Sequence, residues 1–158
     1  MERLVEGLAV RRLTITRASI AETVEHLRSS AHRERVVLWL GRRHAGGVRV
    51  QEVHLPIQET DADYFRIPPE GMTALFEHMR SVRLMVAAQV HTHPAEAFHS
   101  PADDRWAIAR YEGALSLVVP RFCQTTTAAT FVTDTKVYRL DENDFFNEVG
   151  PDVYEVTE

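Results

Sequence analysis

The chain has 158 residues, 44% of them hydrophobic, and a formal charge of −5 from 18 Lys and Arg against 23 Asp and Glu. That size suits one domain with a real core, and the acidic balance argues against a nucleic-acid partner, which usually shows a basic stripe. No apolar run reaches the roughly 20 residues a membrane-spanning helix needs. Met1 to Glu6 lacks the apolar core of a signal peptide, so the expectation is a soluble cytoplasmic protein. The one cysteine, Cys123, excludes an intrachain disulfide and a Cys-based structural zinc site. Any transition metal must then be held mainly by His and carboxylates.

Leu8 to Thr16 reads as a first strand. Ser19-Ile20-Ala21-Glu22 fits a capping box, and Ile20, Val24 and Leu27 predict an amphipathic helix over 20–32. Val36-Val37-Leu38-Trp39-Leu40 is an apolar run ending at Gly41, the pattern of a buried strand. His44 to Gly47 is a turn signal, and Val48 to Leu55 alternates as the next strand. Residues 56–67 read as loop. Pro68-Pro69 opens a second helix, with Met72, Leu75, Phe76 and Met79 on its apolar face.

Leu84 to Val90 is another buried strand, running into His91-Thr92-His93-Pro94. Ser100-Pro101-Ala102-Asp103 reads as an N-cap with Pro at the first helical position, opening a helix expected to run to Glu112 and stop at Gly113. Trp106 is expected to pack that helix on the sheet. Ala114 to Val119 is a strand. Residues 129–133 and 136–140 read as a hairpin turning at Asp134-Thr135. Residues 141–158 read as an acidic tail, loose on the surface or forming a short helix. The whole is one mixed α/β domain over 1–158, with helices packed on a mixed sheet.

His91 and His93 stand two apart on a strand and so point to one face, while Pro94 tends to end the strand. Two imidazoles there can converge on a metal, although such pairs are commonly plain polar surface. Ser100 and Asp103 are explained as a capping box alone, yet the same geometry offers Asp103 as a third ligand. Two His and one Asp leave a fourth tetrahedral position for water, the arrangement of a catalytic zinc site. Such a site needs a carboxylate nearby as a proton carrier. Glu34 is placed for this, although by composition it reads as a solvated charge beside Arg33 and Arg35.

His91-Thr92-His93-Pro94 followed by Ser100-Pro101-Ala102-Asp103 resembles the JAMM motif of MPN-domain metalloproteases, H-x-H-P-x6-S-x-x-D. Members carry an upstream E-x-x-G-x-L-x-G segment, and Glu34 to Gly41 matches its outer Glu and Gly, with Val37 at the inner glycine. The resemblance spans roughly Ser19 to Leu140. It implies an MPN/JAB-type, cytidine-deaminase-like fold with Zn2+ held by His91, His93 and Asp103. It also implies Glu34 as general acid/base and Ser100 as a hydrogen-bond partner of the oxyanion or the water. The loop Ala95 to His99 is one residue shorter than usual. Counting from His93 therefore selects Asp104, and the S-x-x-D register selects Asp103, which we take because loops absorb deletions.

The compact form is similar to bacterial JAB domains associated with ubiquitin-like, E1-like and E2-like proteins, including antiphage systems. By that resemblance the activity is isopeptide or peptide hydrolysis after the C-terminus of a ubiquitin-like protein. Two alternatives stay open: a non-catalytic MPN-fold scaffold, and a metallopeptidase acting on a sulfur-carrier protein adduct. A zinc deaminase, which shares a similar α/β layout, would need a second Cys pair, which Cys123 alone cannot provide. Residues 56–67, with Tyr64 and Phe65, and 121–128 are the expected substrate loops. His99 is expected as a solvent-exposed loop residue, His54 and His78 as structural or surface residues, and Cys123 as a buried thiol.

Overall fold

A computed structural model describes residues 12–101, 103 and 107–158. Its centre is an eight-stranded mixed sheet. The strands are β1 (Arg12–Thr16), β2 (Val36–His44), β3 (Gly47–His54), β6 (Met85–Thr92), β7 (Leu115–Val119), β8 (Lys136–Leu140), β9 (Phe146–Val149) and β10 (Tyr154–Thr157). They lie in the order β10-β1-β3-β2-β6-β7-β8-β9, and a small hairpin, β4 (Glu59–Thr60) with β5 (Phe65–Arg66), stands apart. β1 runs parallel to both β10 and β3, and β6 runs parallel to β7. The other pairings within the sheet are antiparallel.

Each face carries one long helix. The first, α1 (Arg17–Arg28), starts where the Thr16 side chain accepts the Ser19 amide, so the cap lies three residues before the expected Ser19 box. Its Ile20, Val24 and Leu27 pack with Val37 and Trp39 of β2. The second, α2 (Pro69–Val82), begins with proline in its first turn and ends at Arg83 in the left-handed region (φ 56). Leu75 packs with Val36, Leu38 and Leu40, flanked by Met72 and Met79. Phe76, expected on that stripe, is exposed instead.

Two bulges decide which side chains face α2. Opposite β2, the pairing jumps from Leu40↔Glu52 to Gly41↔Val50, leaving Gln51 as an extra residue in β3. Opposite the same strand, Trp39↔Ala88 is followed by Leu40↔Val86, leaving Ala87 extra in β6. Each extra residue reverses the alternation beyond it. Val48 and Val50 therefore face α1, whereas Glu52 and His54 pair with Leu40 and Leu38 on the α2 side. Likewise Gln89 and His91 pair with Leu38 and Val36 on that side. Gly41 sits beside the first bulge, where an added Cβ would come within 2.7 Å of the Arg49 carbonyl oxygen.

Three expectations are corrected. Residues 129–133 form no strand: a short helix, α3 (Phe131–Asp134), buries Phe131 against Trp39, with ring centroids 6.0 Å apart. The antiparallel partners of β8 are β7 and β9. The helix expected over 101–112 does not reach Glu112, since residues 107–110 are non-helical, although Pro101 and Asp103 are helical. Residues 8–11, Asp104 and Trp106 lie outside the described residues. The supposed tail supplies β9, a 3-10 turn at Pro151–Val153, and β10. Among the described residues, no helix is long and apolar enough to cross a membrane.

Tyr154 of β10 is buried, its ring 5.9 Å from that of Trp39. Tyr154→Ala is expected to lower the unfolding free energy by about 3 kcal/mol in urea titration. A loss within about 0.5 kcal/mol, typical of a surface site, would show that the C-terminal strand contributes nothing to the core.

Candidate metal centre

The centre forms where β6 ends. His91 is the next-to-last residue of the strand and His93 follows it. The backbone there is tied on both sides. The Thr92 amide donates to the Arg35 carbonyl, the Thr92 hydroxyl accepts the Arg35 amide, and the His93 amide donates to Val119. The His93 carbonyl accepts the Phe122 amide. This network extends the strand's alternation past its end, and both imidazoles turn the same way, ring centroids 5.2 Å apart.

Asp103 comes to them from the helical turn that opens at Pro101. The Ser100 amide donates to Asp103 Oδ2 at 2.7 Å, and the Asp103 amide donates to Ser100 Oγ at 3.1 Å. This is the reciprocal capping geometry that the sequence indicates. Asp103 Oδ2 also lies 3.0 Å from His93 Nε2, and Oδ1 lies 3.2 Å from His91 Nε2. One ligand atom from each of the three residues lies within 4.8 Å of the others, and all three residues are buried.

This donor set fits a metal ion. His91 is fully buried, and among the described residues neither of its ring nitrogens has a hydrogen-bond partner. Its Nε2 is near Asp103 but out of line for a hydrogen bond. A buried polar atom left without a partner costs about 1–3 kcal/mol, and an ion shared with His93 and Asp103 would remove that penalty at Nε2. Burial acts to raise the Asp103 carboxyl. The imidazoles of His91 and His93 and the Ser100 amide outweigh it and hold Asp103 well below the usual carboxylate range. The carboxylate is thus ionised and ready as a ligand.

Glu34 is buried too, just ahead of β2, with its amide donating to the Asp61 carbonyl at 2.7 Å. Its pKa is pushed up from 4.5 to about 7. Burial is the main cause, and the nearby negative charges of Asp103 and Asp63 add to it, while His93 acts in the opposite direction. The structure therefore brings Glu34, His91, His93, Ser100 and Asp103 into one neighbourhood.

Residues 16–133 match the family of prokaryotic homologs of the JAB domain. The chain belongs to this family. The JAB domain is also 32% identical over 146 residues to a probable metalloprotease, y4jG, of Sinorhizobium fredii, covering 89% of this chain and 88% of that protein. Its fold is similar to the solution structure of protein DSY2949 from Desulfitobacterium hafniense, with a TM-score of 0.65 and 20% identity over 92% of this chain and 93% of that one.

Around the centre of this JAB domain, two readings of single residues change. His99 is not an exposed loop residue. Its Nε2 lies 3.1 Å from Ser116 Oγ, and its ring packs on Phe146 and Tyr138. Ser116 also accepts from the fully buried Gln89, whose Oε1 accepts the Ile108 amide. Gln89, Ser116 and His99 thus join the sheet to the segments on either side of Asp103. A lone Gln in an apolar strand is the one sequence signal that could have found this chain of contacts. Phe65 is buried, 5.3 Å from the His91 ring, so it walls the site, and Tyr64 beside it is exposed.

The Glu34 shift has a defined effect on the metal-free protein. Between about pH 4.5 and about 7 the folded chain keeps the Glu34 proton while the unfolded chain has released it. The unfolded state then binds fewer protons, so stability falls as pH rises through that window, by up to about 3 kcal/mol. Glu34→Gln cannot titrate. Urea unfolding at pH 5 and pH 8 is expected to show a larger loss in the wild type than in the variant, and equal losses would rule out an elevated Glu34 pKa.

Proposed function

We propose that this JAB domain is a zinc peptidase or isopeptidase. It hydrolyses the amide bond after the C-terminus of a ubiquitin-like protein, in deconjugation or precursor processing within a bacterial ubiquitin-like or antiphage system. The observation that carries the reading is the convergence of His91, His93 and Asp103 beside buried Glu34. Two imidazoles and one carboxylate form the ligand set of catalytic zinc sites. When bound, zinc supplies Lewis acidity that polarises a carbonyl and makes water a better nucleophile.

The chain's own groups do the rest. Glu34, with a pKa about 7 before any ion binds, takes the proton from the attacking water and delivers it to the leaving amine. A group near neutrality serves both steps. Ser100 Oγ accepts the Asp103 amide, which leaves its own O–H to donate to the oxygen where negative charge develops. Phe65 and Phe98, the latter 4.5 Å from the His93 ring, shield the imidazoles from bulk water. Tyr64, exposed beside the β4–β5 hairpin, is positioned for an extended substrate tail. E1-like and E2-like proteins are the natural partners in this reading, and the cytoplasm its site of action.

The test is cleavage of a ubiquitin-like fusion by zinc-loaded protein. Glu34→Gln is expected to keep the wild-type zinc content and lose 10²- to 10⁴-fold in kcat, the range of general acid–base catalysis. His91→Ala/His93→Ala is expected to lose about one zinc per chain and all activity, as the ligand set requires. Wild-type turnover by Glu34→Gln would sink the proposed role of Glu34. Cleavage of a short sulfur-carrier adduct but no fusion would move the substrate to that class. Bound zinc with no hydrolysis of either would leave a scaffold.

A further inference from the structure

Glu52, His54 and His78 form a second group, distinct from the centre at the end of β6. Glu52 and His54 are two apart on β3, beyond the bulge at Gln51, so both face α2. His78 comes down from α2. Its Nε2 lies 2.8 Å from each oxygen of the Glu52 carboxylate, so the carboxylate straddles that nitrogen. His54 Nδ1 lies 3.6 Å from Glu52 Oε1. The two imidazoles stack nearly parallel, with centroids 4.8 Å apart and 16° between planes.

We infer that Glu52, His54 and His78 form a second metal site, taking zinc or a similar divalent transition ion and stapling α2 to β3. As at the first centre, one ligand atom from each residue lies within 4.8 Å of the others. Two imidazoles and one carboxylate are a borderline donor set, suited to zinc and poorly matched to calcium or magnesium. Side-chain exposures of 32%, 21% and 33% leave a path for the ion and a position for water. Ion binding takes the place of the hydrogen bond between Glu52 and His78.

A simple ion pair docking the helix would account for Glu52 and His78. It does not account for His54, whose ring lies flat on His78 and whose Nδ1 turns toward the same carboxylate. The ligands come from two elements far apart in sequence. An ion there joins them without any new fold, and it stabilises the folded state by mass action.

The test measures zinc per chain after equilibration with micromolar free zinc and removal of the excess. Wild type is expected to hold about two ions, and His54→Gln/His78→Gln one fewer, with unchanged circular dichroism. His91→Ala/His93→Ala should retain one ion and show a zinc-dependent rise in Tm. If the His54/His78 variant misfolds, Glu52→Gln, close in shape to the wild type, decides in its place. Equal zinc in wild type and the second-site variants overturns the proposal. Loss of one ion in those variants, with none lost in His91→Ala/His93→Ala, would uphold it while removing the first centre.

Discussion

A charged carboxylate buried between two imidazoles is the arrangement around which this protein is built. Asp103 is nearly closed to water, and an isolated charge there would be very unfavourable. It persists because the Ser100 amide and the two histidines hold it. Those interactions require the loop from Pro94 to His99 to fold back against the end of β6, so one charge dictates the path of a whole segment.

The surrounding fold supplies the rigidity that such a site needs. β6 lies in the sheet between β2 and β7, so the strand that carries His91 is hydrogen-bonded along both sides. The cross-links from Arg35, Val119 and Phe122 continue that support past the last paired residue. Glu34 arrives on the chain just before β2, whose pairing Val36↔His91 sets its distance from the two histidines. Three separate stretches of sequence therefore meet with little freedom in how they meet.

The centre was legible in the sequence because its signals are local. An H-x-H pair at a strand end and an S-x-x-D cap each specify geometry within a few residues, and both formed. The misread parts depend on distant partners. Thr130 to Thr133 has strand-like composition, but Phe131 buries beside Trp39 and the segment turns helical around it. The last residues looked loose because β9 and β10 are short and carry acidic side chains. Only pairing with β8 and β1 makes them strands. Past Asp103 the cap at Ser100 and the stop at Gly113 suggested a helix, whereas the Ile108 amide and the Tyr111 hydroxyl instead bond Gln89 and the β6 carbonyls.

The two bulges carry a consequence for how this chain can change over evolutionary time. The loop before Ser100 has lost a residue relative to the usual motif spacing, and the capping geometry of Ser100 and Asp103 is intact, because a loop can take up slack. A bulged strand has slack of its own, and a regular strand has none. One residue removed at Ala87 would leave Leu40↔Val86 and Trp39↔Ala88 as successive regular pairs, so Gln89 and His91 would keep facing α2, and one removed at Gln51 would likewise leave Glu52 and His54 in place. β2 has no extra residue to give up, so one residue lost there turns the side chains beyond it to the other face. Single-residue deletions should therefore be tolerated ahead of the cap and at the two bulges, and purged from the middle of β2. Among diverging copies of this chain, the count from Val36 to Leu40 is the length that selection must hold constant.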